Sequence, residues 1–336
     1  MILIDALYIN KGGGAVLLQY LISQILCRKE KDQFFFLLDP RFEKPALPED
    51  QYCVIANSQK ARWQFYQKNK DRFSKVFCFA NTPPPIRLRA RVYTYFHNQK
   101  LLEAPDKKFE KNYRKIYVKY LIVKLFNRNT DYYIVQTQHM TDEILRLKLK
   151  KPSNLLQIPF YDNAKYKGGG LPFAQRPADE FVFISNPSPQ KNYPTLFDAW
   201  EYLLDIGEKP LLHVTIDDSA PAVTAQMNRL ISKGARITNH VYIDPARLYF
   251  NCRYLIFPSV VESFGLPLIE AAESGMKILA SDLQYVYDVV KPSITFKPYD
   301  KISIANAVRR AMSEELPFPE IVTKNEIGKL IDLLVG

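Results

Sequence analysis

Tyr254-Leu255-Ile256-Phe257-Pro258-Ser259-Val260-Val261-Glu262-Ser263-Phe264-Gly265-Leu266-Pro267-Leu268-Ile269-Glu270 changes its structural period part-way through. The first four residues form a continuous apolar run of strand character, which Pro258-Ser259 ends. From about Pro267, apolar residues recur at helical spacing through Leu268, Ile269, Ala271 and Ala272. Proline suits a first helical turn, where its missing N–H had no partner to lose. The stretch therefore reads as strand, loop and helix start. Unbonded amides at such a start, with Gly265 allowing close backbone approach, make a ready anion site. Glu262 and Glu270 flank it, and carboxylates accept strong hydrogen bonds from sugar hydroxyls. A nucleotide sugar offers both phosphates and hydroxyls. On spacing alone, two solvated glutamates near an ordinary helix start are the better reading.

The same alternation extends in both directions. Ile2 to Tyr8 reads as a buried strand, Ile9 to Gly14 as a glycine loop and Ala15 to Leu26 as a helix. Further strands are expected around residues 34–38, 52–55, 76–79, 91–96 and 132–135, with a long helix from about Lys108 to Asn127. Pro83-Pro84-Pro85 forces an extended link. Tyr161 to Asp179, with Gly168-Gly169-Gly170, Pro172 and Pro177, reads as an interdomain linker. Beyond it strands are expected at 181–184, 212–216, 255–257 and 277–280, separated by helices. Strands alternating with helices argue for parallel sheets covered on both faces. The expected organisation is a Rossmann-like domain over residues 1–164, a second over 165–319, and a terminal helix over 320–336 that crosses back to the first.

The chain has 336 residues, more than one core usually supports. It carries no run of about 18 uncharged apolar residues able to span a bilayer, and its start lacks the apolar run of a signal peptide. The expected location is the cytoplasm. Cys27, Cys53, Cys78 and Cys252 form no Cys-x-x-Cys pair, so neither a disulfide framework nor a zinc site is read, and reduced, buried thiols are expected. The net charge of +11 is uneven: residues 1–160 hold 28 Lys and Arg against 14 Asp and Glu, and the rest hold 18 against 21. A basic excess in the first half implies an anionic partner there.

The run from Pro258 to Ala271 resembles the E-x7-E signature of GT-B retaining glycosyltransferases of family 4. That resemblance implies that Glu270 holds the donor ribose, that Glu262 lies near the transferred sugar, and that Ser263, Phe264, Gly265 and Leu266 meet the donor. Gly12-Gly13-Gly14 stands where the family has a glycine loop facing donor phosphates and acceptor, although a tight turn explains it equally. It is not G-x-G-x-x-G, which counts against a nicotinamide or flavin enzyme. Tyr95-Phe96-His97-Asn98 resembles the family's His-Asn element, whose histidine faces the reacting sugar. Lys191, in Ser185-Asn186-Pro187-Ser188-Pro189-Gln190-Lys191, matches the lysine that grips the donor diphosphate. Many members place an arginine where this chain has Asn186, so one of two usual countercharges is missing.

These residues suit metal-free transfer. A lysine and helix-start amides stabilise charge as it develops on the departing diphosphate. There is no Asp-x-Asp motif, the four histidines have no zinc spacing, and no cofactor is implied. In retaining members the departing phosphate oxygen takes the acceptor proton, which gives His97 a positioning role before an acid-base one. Lys107, Lys108, Lys111, Arg114 and Lys115, interleaved with Phe109, Tyr113, Ile116, Tyr117 and Tyr120, form a basic aromatic stretch. It suits an anionic membrane surface or the solvated face of a packed helix. No RNA-binding signature accompanies it, so nucleic acid is not an expected partner.

The resulting expectation is a GT-B fold and a metal-independent retaining hexosyltransferase. It would move sugar from a UDP- or GDP-sugar to a glycan or lipid-linked acceptor in bacterial surface polysaccharide synthesis, on the inner membrane face, with reaction in the cleft between the domains. A nucleotide-sugar epimerase of the same architecture and a non-catalytic nucleotide-sugar-binding protein are the alternatives.

Overall fold

The computed structural model describes residues 1–102, 113–162, 164–241 and 243–336. The chain divides into two compact units, one of Met1–Asp162 with Lys324–Gly336 and one of Asn163–Thr323.

The first unit is built on seven strands: β1 (Ile2–Ala6), β2 (Phe34–Leu38), β3 (Tyr52–Val54), β4 (Lys75–Cys78), β5 (Arg91–Tyr95), β6 (Tyr132–Val135) and β7 (Leu155–Gln157). Their order is β3-β2-β1-β4-β5-β6-β7, and every pairing is parallel. Strands covered on both faces read as unbroken apolar runs, which is why Ile-Leu-Ile and Phe-Phe-Phe-Leu-Leu occupy the centre. Asp5 interrupts the first run. It is buried, and Arg62 answers it at 2.7 Å while the Tyr66 hydroxyl donates to it at 2.6 Å. Arg62 donates its remaining hydrogens to the Thr82 and Pro83 carbonyls, both at 2.8 Å. One buried charge thus anchors the proline segment, and removing either ion would strand the other away from water.

The second unit has a six-stranded parallel sheet of β8 (Glu180–Phe183), β9 (Leu211–Val214), β10 (Ile237–Asn239), β11 (Tyr254–Phe257), β12 (Lys277–Ser281) and, after the short β13 (Val290–Lys291), β14 (Ile294–Phe296). The order is β10-β9-β8-β11-β12-β14. In a separate ribbon, β13 pairs antiparallel with β15 (Glu320–Ile321).

Both sheets reverse direction of winding at one place, between β1 and β4 in the first and between β8 and β11 in the second. Crossovers leave in opposite directions there, so the loops beyond the carboxyl ends of those strands part and leave room for a ligand. The glycine loop and Asn81 follow β1 and β4. The Asn186–Lys191 segment and the Glu262 loop follow β8 and β11.

Some expected boundaries move. The glycine loop ends at Gly12, since Gly13 and Gly14 already belong to the helix Gly13–Leu26. The terminal helix spans Ile327–Val335, because residues 320–321 pair with β13 and Asn325 then turns the chain, its Oδ1 accepting the Ile327 amide at 3.2 Å. Arg28 pairs with Asp332 at 3.2 Å, and Lys75 donates to the Leu333 carbonyl at 3.0 Å. Cys78 and Cys252 are buried as expected, but Cys27 is exposed. Strands β7, β10 and β14 were not expected. At three residues each they carry little local pattern, although β3, equally short, was expected from its Tyr-Cys-Val-Ile run.

Candidate functional site

In the second unit, β8 runs out into Ser185, whose amide donates to Thr215 Oγ1 at 3.0 Å and whose carbonyl accepts the Tyr193 hydroxyl at 2.8 Å. A single turn, Pro189–Lys191, follows, and Asn192 then adopts a left-handed conformation (φ 56°) to start the helix Tyr193–Asp205. Asn192 is buried and held from both ends, its Nδ2 donating to the Pro298 carbonyl at 2.6 Å and its Oδ1 accepting from Thr195. This bend directs Lys191 toward the loop after β11, where its ammonium pairs with Glu262. The Val260 amide donates to the Gln190 carbonyl at 2.8 Å, so backbone and side chains bind the two loops together. Lys191 also lies 5.7 Å from the centre of the Phe257 ring. The structure therefore brings Lys191 and Glu262 together.

Gly265 caps the next helix, Leu266–Glu273, at φ 85°, and as a glycine it offers the first-turn amides no side-chain cap. A Cβ at Gly265 would lie 3.1 Å from Leu268 Cδ1. Glycine is thus favoured by backbone conformation, and a side chain there would also press on Leu268. Phe264 is buried, which orients the turn. Glu270, farther along the helix, is partly buried, and its Oε2 accepts the Tyr249 hydroxyl at 3.0 Å. Burial raises the Glu270 pKa above the usual carboxylate range, against the lowering effects of Tyr249 and the Lys165 charge. A carboxylate made costly by desolvation and held by one donor is well suited to accept further hydroxyl donors. Asn186 lies apart from the pair: it is exposed, and its Oδ1 accepts from Ser188 at 3.0 Å.

In the first unit, His97 follows β5. Its amide donates to Asn81 Oδ1 at 2.7 Å, and its Nε2 lies 3.1 Å from both Asn81 Nδ2 and the Phe79 carbonyl. The ring stacks on Tyr95 with centroids 4.7 Å apart, and a Cβ on Gly14 would lie 3.4 Å from His97 Cε1. The structure thus joins His97 to the glycine run. Burial depresses the His97 pKa to about 4, against the raising effect of the Phe79 carbonyl, so the imidazole is neutral near pH 7. With the proton on Nε2 it donates to Phe79; with the proton on Nδ1 it accepts from Asn81. Either tautomer locks the ring. Gly12 and Gly13 are exposed at the helix start.

Sequence reading missed Asn81, Asn192 and Tyr249. Asn81 and Asn192 hold positive φ, at 61° and 56°, and asparagine tolerates that conformation because its side chain bonds locally. An asparagine soon after an apolar strand was the available signal. Nothing local announced Tyr249.

Part of the first half's basic excess lies at the amino ends of β4 to β6, whereas His97 follows the carboxyl end of β5. Two adjoining cavities of about 720 and 680 Å³ share Arg87, Asp131 and Asn154. Lys75, Arg89 and Arg91 line one; Arg128, Lys148, Lys150 and Lys151 line the other. The pKa of Lys150 is lowered first by burial, and Arg87 adds to the effect. Of the basic aromatic stretch, Lys107, Lys108 and Lys111 fall outside the described residues, as does the side chain of Lys115, and Arg114 is exposed. The helix Tyr113–Phe126 packs Val123, with Ile116, against the protein core, so Ile116 does not belong to an outward apolar face. A different stripe, Val118, Leu121 and Leu125, is exposed. No helix among the described residues is long and apolar enough to cross a membrane.

Residues 175–328, which include β8 to β15 and the loops holding Lys191 and Glu262, match the family model of "Glycosyl transferases group 1". Serotype-specific mannosyltransferase WbdA of Escherichia coli is 26% identical to the chain over 161 residues, 43% of this chain and 19% of that protein. The chain thus spans under a fifth of that relative's length. Among solved structures, Anabaena HepE in complex with UDP and glucose superposes with a TM-score of 0.67 at 15% identity, covering 93% of this chain and 90% of that one. The apo lipopolysaccharide outer core galactosyltransferase WaaB gives 0.64 at 15% identity, covering 99% and 94%. At such identity the likeness is one of fold. The fold is GT-B, and the stretch that matches the group 1 model lies in its second half.

Proposed function

We propose that the chain is a retaining glycosyltransferase that needs no catalytic metal and transfers a hexose from a UDP- or GDP-sugar to a glycan or lipid-linked acceptor. The observation that carries this reading is the Lys191–Glu262 pair, placed at the winding reversal of the sheet beside an uncapped helix start. Lys191 and the amides after Gly265 would hold the diphosphate, and Glu270, steadied by Tyr249, would accept from the ribose hydroxyls. As the anomeric C–O bond to phosphate breaks and the bond to the acceptor oxygen forms, the acceptor proton passes to the departing phosphate oxygen. Negative charge grows on the diphosphate, and fixed positive groups aimed there favour the transition state over the ground state. His97, neutral and locked, serves by position.

A role in surface polysaccharide synthesis is supported by the similarity to WbdA and by the fold shared with WaaB. UDP as donor base is supported by HepE. Attachment to the inner membrane face is supported by the exposed stripe Val118, Leu121 and Leu125 on a helix that also carries Lys119 and Lys124.

The test is incubation with a panel of UDP- and GDP-hexoses in the presence of chelator, with and without glycan acceptors, followed by proton NMR of the products. Slow donor hydrolysis, with transfer that keeps the anomeric configuration, is expected. Epimerised donor formed without acceptor would instead identify an epimerase. Nucleotide binding without turnover would identify a binding protein.

A further inference from the structure

Toward the amino ends of central strands of the second sheet, away from the loops that carry Lys191 and Glu262, three chain segments bring together a carboxylate, an imidazole and a thiol. Glu180 opens β8. His213 lies on its neighbour β9, and Cys252 stands two residues before β11, the neighbour on the other side. One ligand atom from each lies within 4.8 Å of the other two. Cys252 is buried, and His213 and Glu180 expose 12% and 22% of their side chains.

Hydrogen bonding leaves this cluster incomplete. His213 Nδ1 lies 3.0 Å from His240 Nε2. His213 Nε2 is buried and has no hydrogen-bond partner, and its distance to Glu180 Oε2 is 3.5 Å. With the proton on Nδ1 donated to His240, a lone pair on Nε2 faces a carboxylate lone pair, and the pair lacks a positive centre between them. A spacing of 3.5 Å is long for a hydrogen bond. It does match two ligands of one tetrahedral ion, which lie roughly 3.3–3.6 Å apart when bound at about 2.0–2.3 Å.

We propose that Glu180, His213 and Cys252 bind one divalent transition-metal ion, with His240 fixing the ligating tautomer of His213. A thiolate, an imidazole and a carboxylate select zinc or cobalt over magnesium or calcium. Histidine ligands commonly hold their second nitrogen to a hydrogen-bonding partner, as His240 does here. On binding, the Cys252 thiol gives up its proton to solvent and the thiolate takes the metal. Glu180 and the thiolate then balance the ion's two positive charges. Cys252 is buried beside Arg176. Arg176 also donates to the Cys252 and Tyr249 carbonyls at 3.2 and 3.3 Å, which fixes the backbone that presents the sulfur. The ion would clasp the starts of three adjacent strands and stabilise the unit without touching the donor loops.

The full chain, stripped with chelator under reducing conditions, is titrated with cobalt chloride. A near-ultraviolet thiolate-to-cobalt charge-transfer band saturating at one equivalent is expected, with displacement by zinc and release of a proton. Cys252→Ser should abolish the band, and Glu180→Gln and His213→Gln should each weaken cobalt binding at least tenfold while circular dichroism stays native. Zinc should raise the unfolding midpoint of the wild type and leave that of Cys252→Ser unchanged. A folded wild type without the band overturns the proposal. So does a band that survives Cys252→Ser, or cobalt affinity unmoved by both of the other variants. None of these measurements depends on transferase activity.

Discussion

Replacing Lys191 with methionine keeps the length of the side chain and removes its charge, so it separates two functions that one ammonium serves. In the free protein Lys191 and Glu262 expose only 14% and 15% of their side chains and neutralise each other. Removing one partner of a fully buried ion pair costs about 3–5 kcal/mol. At this degree of exposure water recovers part of that, and a loss of about 1–3 kcal/mol in unfolding free energy is expected. The donor meets a different change. A charged contact to a diphosphate contributes about 1.5–3 kcal/mol, and about 1.4 kcal/mol is a factor of ten. Nucleotide affinity should therefore fall roughly 10- to 150-fold. Adding Glu262→Gln to Lys191→Met removes the stranded carboxylate, so the double variant should recover stability yet remain a weak binder. Urea unfolding reports the first quantity, and calorimetric titration with UDP and GDP reports the second. The reasoning fails if Lys191→Met binds its preferred nucleotide as tightly as the wild type. It also fails if the double variant regains affinity along with stability.

Burial raises the pKa of Glu270, so its favourable contribution is present below the ordinary carboxylate pKa and is lost as pH rises through the native value. Glu270→Gln should then gain stability relative to the wild type at neutral pH but not in acid, while nucleotide affinity falls; unfolding at both pH values, paired with calorimetry, checks the trade. His97 has the opposite sign. Its native pKa is depressed from 6.5 to about 4, so its contribution is complete above about 6.5 and is lost as the solution is acidified toward 4. His97→Asn should flatten that part of the stability–pH curve, and an unaltered slope would contradict the buried neutral ring. Replacing Val118, Leu121 and Leu125 with serine should reduce sedimentation with anionic liposomes and leave donor hydrolysis unchanged. Equal sedimentation of variant and wild type would remove the membrane reading.

The stretch from Tyr254 to Glu270 shows how much of this protein is written locally. Apolar runs gave the strands because a parallel sheet buries both faces of its central members. Pro258, Gly265 and Pro267 then punctuated strand, loop and helix within a few residues of where the structure puts them. Backbone sterics act between neighbours, so residue order alone carries these features. The same holds for the phosphate-type turn and for the uneven charge of the two halves. Strand order is different. Nothing in the pattern of β8 says that β9 and β11 flank it, since each crossover returns the chain to the sheet from outside the local window. Every pairing that follows from that order was therefore invisible in sequence: Lys191 with Glu262 across 71 positions, His97 with Asn81, Glu270 with Tyr249, and Glu180 with His213 and Cys252. The sequence determined which segments become strands and where glycine and proline place the turns between them. Only the tertiary structure decided which side chains meet there, because burial and hydrogen bonding are satisfied by neighbours in space.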